Sequence, residues 1–407
     1  MTGGGLAGLA APVIPLLRDT PPRALYIHYP FCAHRCHYCD FSVTRAAVPP
    51  ADEWIDCLAC ELPWWFETAG WAAPLALDSV FIGGGTPSLM DPDVPGALAD
   101  VLGVWFGLEE DVEWTVESNP ASLTDEVATA WRAAGANRLS IGVQSFDDEV
   151  LSWLGRLHDR ATAEAAVRTA RRAGFDNINL DLMFGLPEAI RRDLDTELEI
   201  LIDTGVDHVS AYGLTIEPDT PLARQVTLGR VVPTGGSAYG HEYRTIAARL
   251  EAAGMRHYEV SNFASDGREC RHNWYYWNRS PYLGIGPSAH GYLPPLRIWN
   301  AFRWSRYRDV VRAGAGAVDG YESLGPAEEP LERLWLGLRT REGLVRDDPE
   351  WGAVLSARAD EWERLGWVRT TGGRVVATAE GWLRLDELVT RLATEEASME
   401  NRSRRDE

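Results

Sequence analysis

From residue 24 onward, short apolar runs alternate with longer stretches in which apolar positions recur every three or four residues. The short runs, at 24–28, 79–83, 114–117, 138–143, 177–184 and 208–212, predict strands. Between them, 51–68, 124–134 and 162–173 carry the helical spacing. Strands alternating with helices imply βα units on a parallel sheet. Six such units, with polar or glycine-rich residues just after the strands, predict an α/β fold built on an incomplete (β/α)6 TIM-like barrel. Its functional loops would gather at the C-terminal ends of the strands.

After about residue 225 the pattern loosens. Residues 231–240 read as a connection, 237–254 as a helix, 282–293 as a glycine-rich loop and 314–330 as a linker. Helical stretches at 331–338, 351–364 and 379–392 surround short strands at 367–370 and 374–377, which predicts a C-terminal winged-helix-like domain. The expected organisation is a flexible N-terminal arm (1–22), a partial barrel (23–225), a barrel extension (226–313), the C-terminal domain (326–394) and a charged, disordered tail (395–407). The apolar stretch 6–17 is broken by Pro12 and Pro15 and preceded by no basic residue, so it reads as an arm rather than a signal peptide. No run of about 20 apolar residues appears, and the expected location is the cytoplasm.

Composition narrows the chemistry. The chain has 407 residues and a formal charge of −21, and it contains no lysine, so all 39 basic side chains are arginine. That excludes a Walker A phosphate loop and any lysine Schiff base. The acidic balance disfavours a broad nucleic-acid or anionic-membrane surface, so no nucleic-acid partner is expected.

Six cysteines remain, too few for a secreted disulfide framework in a chain of this size. Cys32, Cys36 and Cys39 follow the first strand in the spacing C-x3-C-x2-C. Three thiolates on so short a loop can reach three corners of an iron–sulfur cubane and leave the fourth iron open. A structural zinc site would want a fourth local ligand. Further polar residues close later strands: Gly83, Gly84, Gly85 and Thr86 after the second, Glu117 after the third and Gln144 after the fourth, with Arg156 beyond it. Asp181 lies in the fifth strand among Ile178, Leu180, Leu182 and Met183, where a carboxylate is costly to bury without partners. The glycine run offers close backbone approach and exposed N–H groups to a ligand.

With these residues in this order, the chain resembles the radical S-adenosylmethionine (SAM) proteins. The resemblance implies a [4Fe–4S] cluster on Cys32, Cys36 and Cys39, whose open iron chelates the methionine moiety of SAM. An electron from the cluster would then cleave SAM to methionine and a 5′-deoxyadenosyl radical. Gly84, Gly85, Thr86, Glu117, Gln144, Arg156 and Asp181 would form the SAM pocket, with Tyr26 and Tyr38 flanking the cluster. Over residues 24–390 the motifs resemble one branch, the oxygen-independent coproporphyrinogen III oxidases and the related HemW-type heme chaperones. The oxidase motif continues as C-x3-C-x2-C-x-C, but Phe41 stands at that position, and only 31 residues precede Cys32 where the oxidase has a longer region. Both departures point to the chaperone, with oxidative decarboxylation of coproporphyrinogen as the alternative and RNA modification disfavoured by the charge.

The segment Cys270-Arg271-His272-Asn273-Trp274-Tyr275-Tyr276-Trp277 resembles the HNxxYW signature associated with heme binding in that family. His272 is the expected ligand of heme, the cargo, since imidazole ligates heme iron. A packed core histidine is the competing reading, and His290 and Cys270 are lesser candidates. Cys57 and Cys60, at i and i+3, are expected to face the same way and to pack rather than react. The resemblance implies recipient hemoproteins of the respiratory-chain type as partners and contact with the membrane through such a partner. It names no electron donor and leaves a homodimer open.

Overall fold

The structure is a computed structural model that describes Leu17 and residues 20–406. Strand β1 (Ala24–Tyr29) is buried at every position except Tyr26, as expected of a strand covered on both faces. The short β2 (Phe31–Cys32) and β3 (Thr44–Arg45) bracket the cysteine loop. Then follow β4 (Leu75–Gly84), β5 (Phe106–Ser118), β6 (Arg138–Gln144), β7 (Asn177–Phe184) and β8 (His208–Gly213). Several of the intervening helices begin where polar side chains cap free N–H groups. Thr124 accepts from the Val127 N–H ahead of Asp125–Ala133, Asp159 from Thr162 ahead of Arg160–Arg172, and Asp193 from Thr196 ahead of Leu194–Asp203. The first helix, Ala51–Ala69, buries Trp54, Ile55, Leu58, Leu62 and Trp65 and ends at Gly70 in the left-handed region.

The described residues divide into two compact units, one reaching Thr234 and resuming at Cys270–Ser323, the other comprising Gly235–Glu269 and the chain from Leu324. The expected extension at 226–313 is therefore not one piece. In the second unit, β9 (Arg256–Glu259) and β10 (Asn262–Ala264) form an antiparallel hairpin. The Val260 N–H donates to the Arg339 carbonyl at 3.2 Å, Glu259 pairs with Arg339 at 2.8 Å, and Glu259 bridges to Thr340. These bonds fasten 235–269 to the helix Glu328–Arg339. Around a three-stranded sheet, Leu334, Leu338, Trp351, Leu355, Trp362, Leu388 and Leu392 make this unit's own core. The last helix runs Leu385–Asp406, so the described part of the stretch expected as a disordered tail, 395–406, is helical, with Glu395 paired to Arg358.

In the first unit, ten strands share one sheet in the order β14 (Val318–Ser323), β13 (Leu296–Asn300), β12 (His290–Leu293), β11 (Tyr282–Ile285), β1, β4, β5, β6, β7, β8. The six barrel strands run parallel, and the sheet does not close. Beyond β1 lie β11, β12, β13 and β14. Residues 282–293, read as a loop, are thus two strands, and part of the expected linker 314–330 is a third. The glycines there serve close approach: a Cβ on Gly284 would lie 2.1 Å from the His290 carbonyl oxygen. Buried Glu61 on the first helix holds this flank by accepting from the Gly286 N–H (2.9 Å), Asn300 (2.7 Å) and Tyr307 (2.6 Å).

The expected arm at 1–22 lies mostly outside the described residues. Leu17 is buried, and its carbonyl accepts from Trp71 Nε1 at 2.9 Å. No helix among the described residues is long and apolar enough to cross a membrane.

Candidate functional site

A cavity of about 610 Å³ opens at the C-terminal ends of β4–β8 and continues down the barrel interior. The cysteine loop forms one wall. Its ends are pinned where the Thr44 N–H donates to the Pro30 carbonyl (2.6 Å) and the Ala46 N–H to the Cys32 carbonyl (3.0 Å). Within it, a turn brings the Cys39 N–H to the Cys36 carbonyl at 3.3 Å. Cys32, Cys36 and Cys39 all line the cavity and are free thiols. Thr86 Oγ1 donates to Cys32 Sγ at 3.3 Å, and Arg156 Nη1 lies 3.8 Å from Cys36 Sγ. Burial pushes the Cys32 thiol up to about 11, opposed by the Thr86 hydroxyl and the Arg156 charge. Thiolate ligation here releases protons, and the guanidinium offsets part of the resulting negative charge.

The glycine run faces the loop, and each glycine is sterically required. A Cβ on Gly83 would meet the Glu117 carboxylate at 2.8 Å, and one on Gly84, whose φ is +104°, would meet the His28 imidazole at 2.3 Å. The expectation that these residues expose N–H groups is corrected. Gly84 N–H donates to Glu117 Oε2 (2.9 Å), Gly85 N–H to the Tyr29 carbonyl (2.7 Å) and Thr86 N–H to the Phe31 carbonyl (2.8 Å). These three N–H groups are therefore already bonded within the protein.

Glu117, Gln144, Arg156 and Asp181 converge on the same cavity. Gln144 holds φ at +69°, a strained conformation of the kind that clusters at functional sites. Arg156 Nη2 donates to the Gly142 carbonyl at 2.5 Å, which fixes the guanidinium over the loop. Burial and the nearby Asp181 charge raise Glu117 to about 7, against the pull of the Gly84 N–H. Burial raises Asp181 to about 6, against its bonds from Asn179 and Ser210.

The cavity floor adds polar residues that lie outside the expected set. Asn179 Nδ2 donates to Ser140 Oγ (2.7 Å) and Asp181 Oδ1 (2.8 Å), while its Oδ1 accepts from Ser210 Oγ (3.1 Å) and His208 Nδ1 (2.6 Å). Arg138, Cys270 and Asn273 also line this region. A signal was available: 138, 140, 142 and 144 in β6, 179 and 181 in β7, and 208, 210 and 212 in β8 alternate with buried apolar residues and all face the cavity.

Several expected residues sit differently. Tyr38 lines the cavity, but Tyr26 does not; its hydroxyl bonds His28 Nδ1 at 3.0 Å, and its ring packs on Phe81. His272 is fully buried, with Nδ1 bonded to Ser79 Oγ (2.9 Å) and Nε2 to the Tyr276 hydroxyl (2.8 Å). Both ring nitrogens are spent inside the protein, so the expected heme ligand presents no lone pair to the cavity. His290 is exposed and stacks on Trp299, outside the cavity lining. Cys57 is buried whereas Cys60 is exposed, so the pair does not share a face.

The donor set fits an iron–sulfur cluster: three thiols of one loop on one cavity, with a hydroxyl and a guanidinium beside two of them. Among the described residues, no three His, Cys, Asp or Glu side chains are gathered to hold a single metal ion.

Residues 26–201 match the sequence signature of the radical SAM superfamily. The chain is 38% identical over 389 residues to the heme chaperone HemW of Mycobacterium tuberculosis (strain ATCC 25618 / H37Rv), spanning 94% of this chain and 98% of that protein. It is 34% identical over 325 residues to the heme chaperone HemW of Bacillus subtilis (strain 168), spanning 80% and 85%. Among solved structures, the Escherichia coli coproporphyrinogen III oxidase HemN, a radical SAM enzyme, superposes with a TM-score of 0.76 at 21% identity, over 94% of this chain and 93% of that one. At that identity the likeness is one of fold.

Proposed function

The chain belongs to the radical SAM superfamily and, within it, to the HemW heme chaperone family; from that premise we propose that it binds heme and delivers it to hemoproteins with the help of a [4Fe–4S] cluster and SAM. The observation that carries the reading is the convergence of three loop thiols and the polar strand ends on one cavity. Cys32, Cys36 and Cys39 would hold the cluster. The carbonyls of Gly84 and Gly85 would accept from the amino group of SAM, Glu117 from its ribose hydroxyls, and Arg156 would balance the cluster's charge. Gln144 and Asp181 would close the pocket around the nucleoside. When bound, the cluster supplies the electron that cleaves SAM reductively. The protein acts in the cytoplasm on respiratory-chain-type recipients, and any membrane contact runs through a partner.

Hemin titrated into cluster-loaded protein tests this reading. A saturable Soret band is expected, with heme then passing to an added apo-hemoprotein. An anaerobic assay with coproporphyrinogen III is expected to yield no protoporphyrinogen, because Phe41 replaces the fourth cysteine of the oxidase motif. Turnover there, without heme binding, would assign the decarboxylase activity instead.

A further inference from the structure

We infer that heme docks on the open rim of the cluster cavity, with His34 as its axial iron ligand and Arg35 against a propionate. The inference rests on the heme-chaperone reading and names the site that this reading leaves unassigned. It begins from the loss of His272, whose ring nitrogens are both bonded within the protein.

Heme asks for three things: an imidazole or equivalent donor, an apolar surface for the macrocycle, and a cation for its carboxylates. The cavity floor offers a poor surface, because Glu117, Arg138, Asp181 and His208 line it and desolvating them further is costly. The rim is different. Phe41, Leu157 and Tyr212 are 57%, 60% and 45% exposed, and all three border the cavity together with Val43 and Leu214. Exposed apolar side chains gathered around the mouth of a polar cavity offer a macrocycle a surface to cover.

The donor lies on the same rim. His34 is exposed and borders the cavity, and its Nε2 is 3.6 Å from where a Cβ of Gly155 would stand. That glycine, with φ at +71°, precedes Leu157 by two residues. The imidazole therefore faces space that a side chain at 155 would fill, on the same cavity rim that Leu157 borders. His37 approaches the same point, its Nδ1 at 4.0 Å, but its ring packs edge-on against Trp153 and Tyr38. Next to His34, the exposed Arg35 makes one long hydrogen bond, 3.4 Å to the Cys39 carbonyl, which leaves its guanidinium able to turn to a carboxylate.

The test is hemin titration of cluster-loaded full-length protein, read as difference spectra against the same protein without hemin. His34→Ala is expected to weaken hemin binding about tenfold or more and to shift the Soret maximum, with added imidazole restoring its position. Leu157→Glu is expected to weaken binding without moving the maximum, while cluster absorbance stays unchanged. His37→Ala is expected to keep the wild-type maximum. Wild-type affinity and an unshifted maximum in His34→Ala would overturn the inference and leave the chaperone reading standing. Absence of any hemin binding by the wild type would overturn that reading and the inference with it.

Discussion

Two segments of this chain are crowded with cysteine, histidine and aromatic residues: 28–41, around the cluster thiols, and 270–277, the HNxxYW segment. On paper each offers an imidazole to a metal. In three dimensions they part company. The first segment turns along a cavity wall, with Cys32, Cys36, Cys39 and His34 all bordering the opening. The second forms a short helix packed against β4, where Ser79 and Tyr276 take both nitrogens of His272 and Glu113 accepts the His272 N–H at 3.1 Å. A burial that satisfies every polar atom turns a candidate ligand into a structural post. The lone pair's direction, more than the residue type, separates a site from a core.

That contrast can be broken most sharply at the loop. Cys36→Ala is expected to abolish the cluster's visible absorbance after reconstitution, and retention of full absorbance would remove the three-thiol assignment. Next in size is the glycine run. Gly84→Val forces a β-branched residue into φ +104° and against His28 at 2.3 Å, which should cost about 3 kcal/mol or more in stability by thermal or urea unfolding. In the second segment, His272→Ala strands the Ser79 and Tyr276 hydroxyls in a buried site. It should lower stability by about 2–3 kcal/mol while leaving the Soret maximum of bound hemin in place.

A pH experiment probes the cavity floor. Glu117, raised by burial to about 7, favours its neutral form in the folded protein. Its contribution to stability is therefore complete below its ordinary value near 4.5 and is lost as pH rises through about 7. Cluster-free Glu117→Gln should lose part of the wild-type decline across that window, on the order of 2 kcal/mol. Identical pH profiles would place the carboxylate in a wetter environment. The smallest effect belongs to Thr86→Val, which removes the hydroxyl from Cys32 Sγ and should lower the cluster's reduction potential by roughly tens of millivolts in a redox titration followed by electron paramagnetic resonance.

Much of the barrel was legible because its signals are local. Apolar runs, helical spacing and the C-x3-C-x2-C motif each lie within a few residues. The misreadings arise where the deciding partner is far along the chain. Residues 282–293 looked like a loop because their glycines signal turns, yet those glycines let β11 and β12 approach closely beside β1. The fate of His272 depends on Ser79, 193 residues away. Arg138, Asn179 and His208 meet only because the barrel turns alternate positions of three strands onto one cavity. The four bonds of the Asn179 amide are a tertiary fact that no local window carries.

The most direct measurement sets the two segments side by side: hemin titration of cluster-loaded His34→Ala and His272→Ala, with folding checked by circular dichroism. A Soret shift and weakened binding are expected in His34→Ala, with the wild-type maximum kept in folded His272→Ala. Loss of the Soret band in folded His272→Ala, with His34→Ala unchanged, would contradict the His34 assignment.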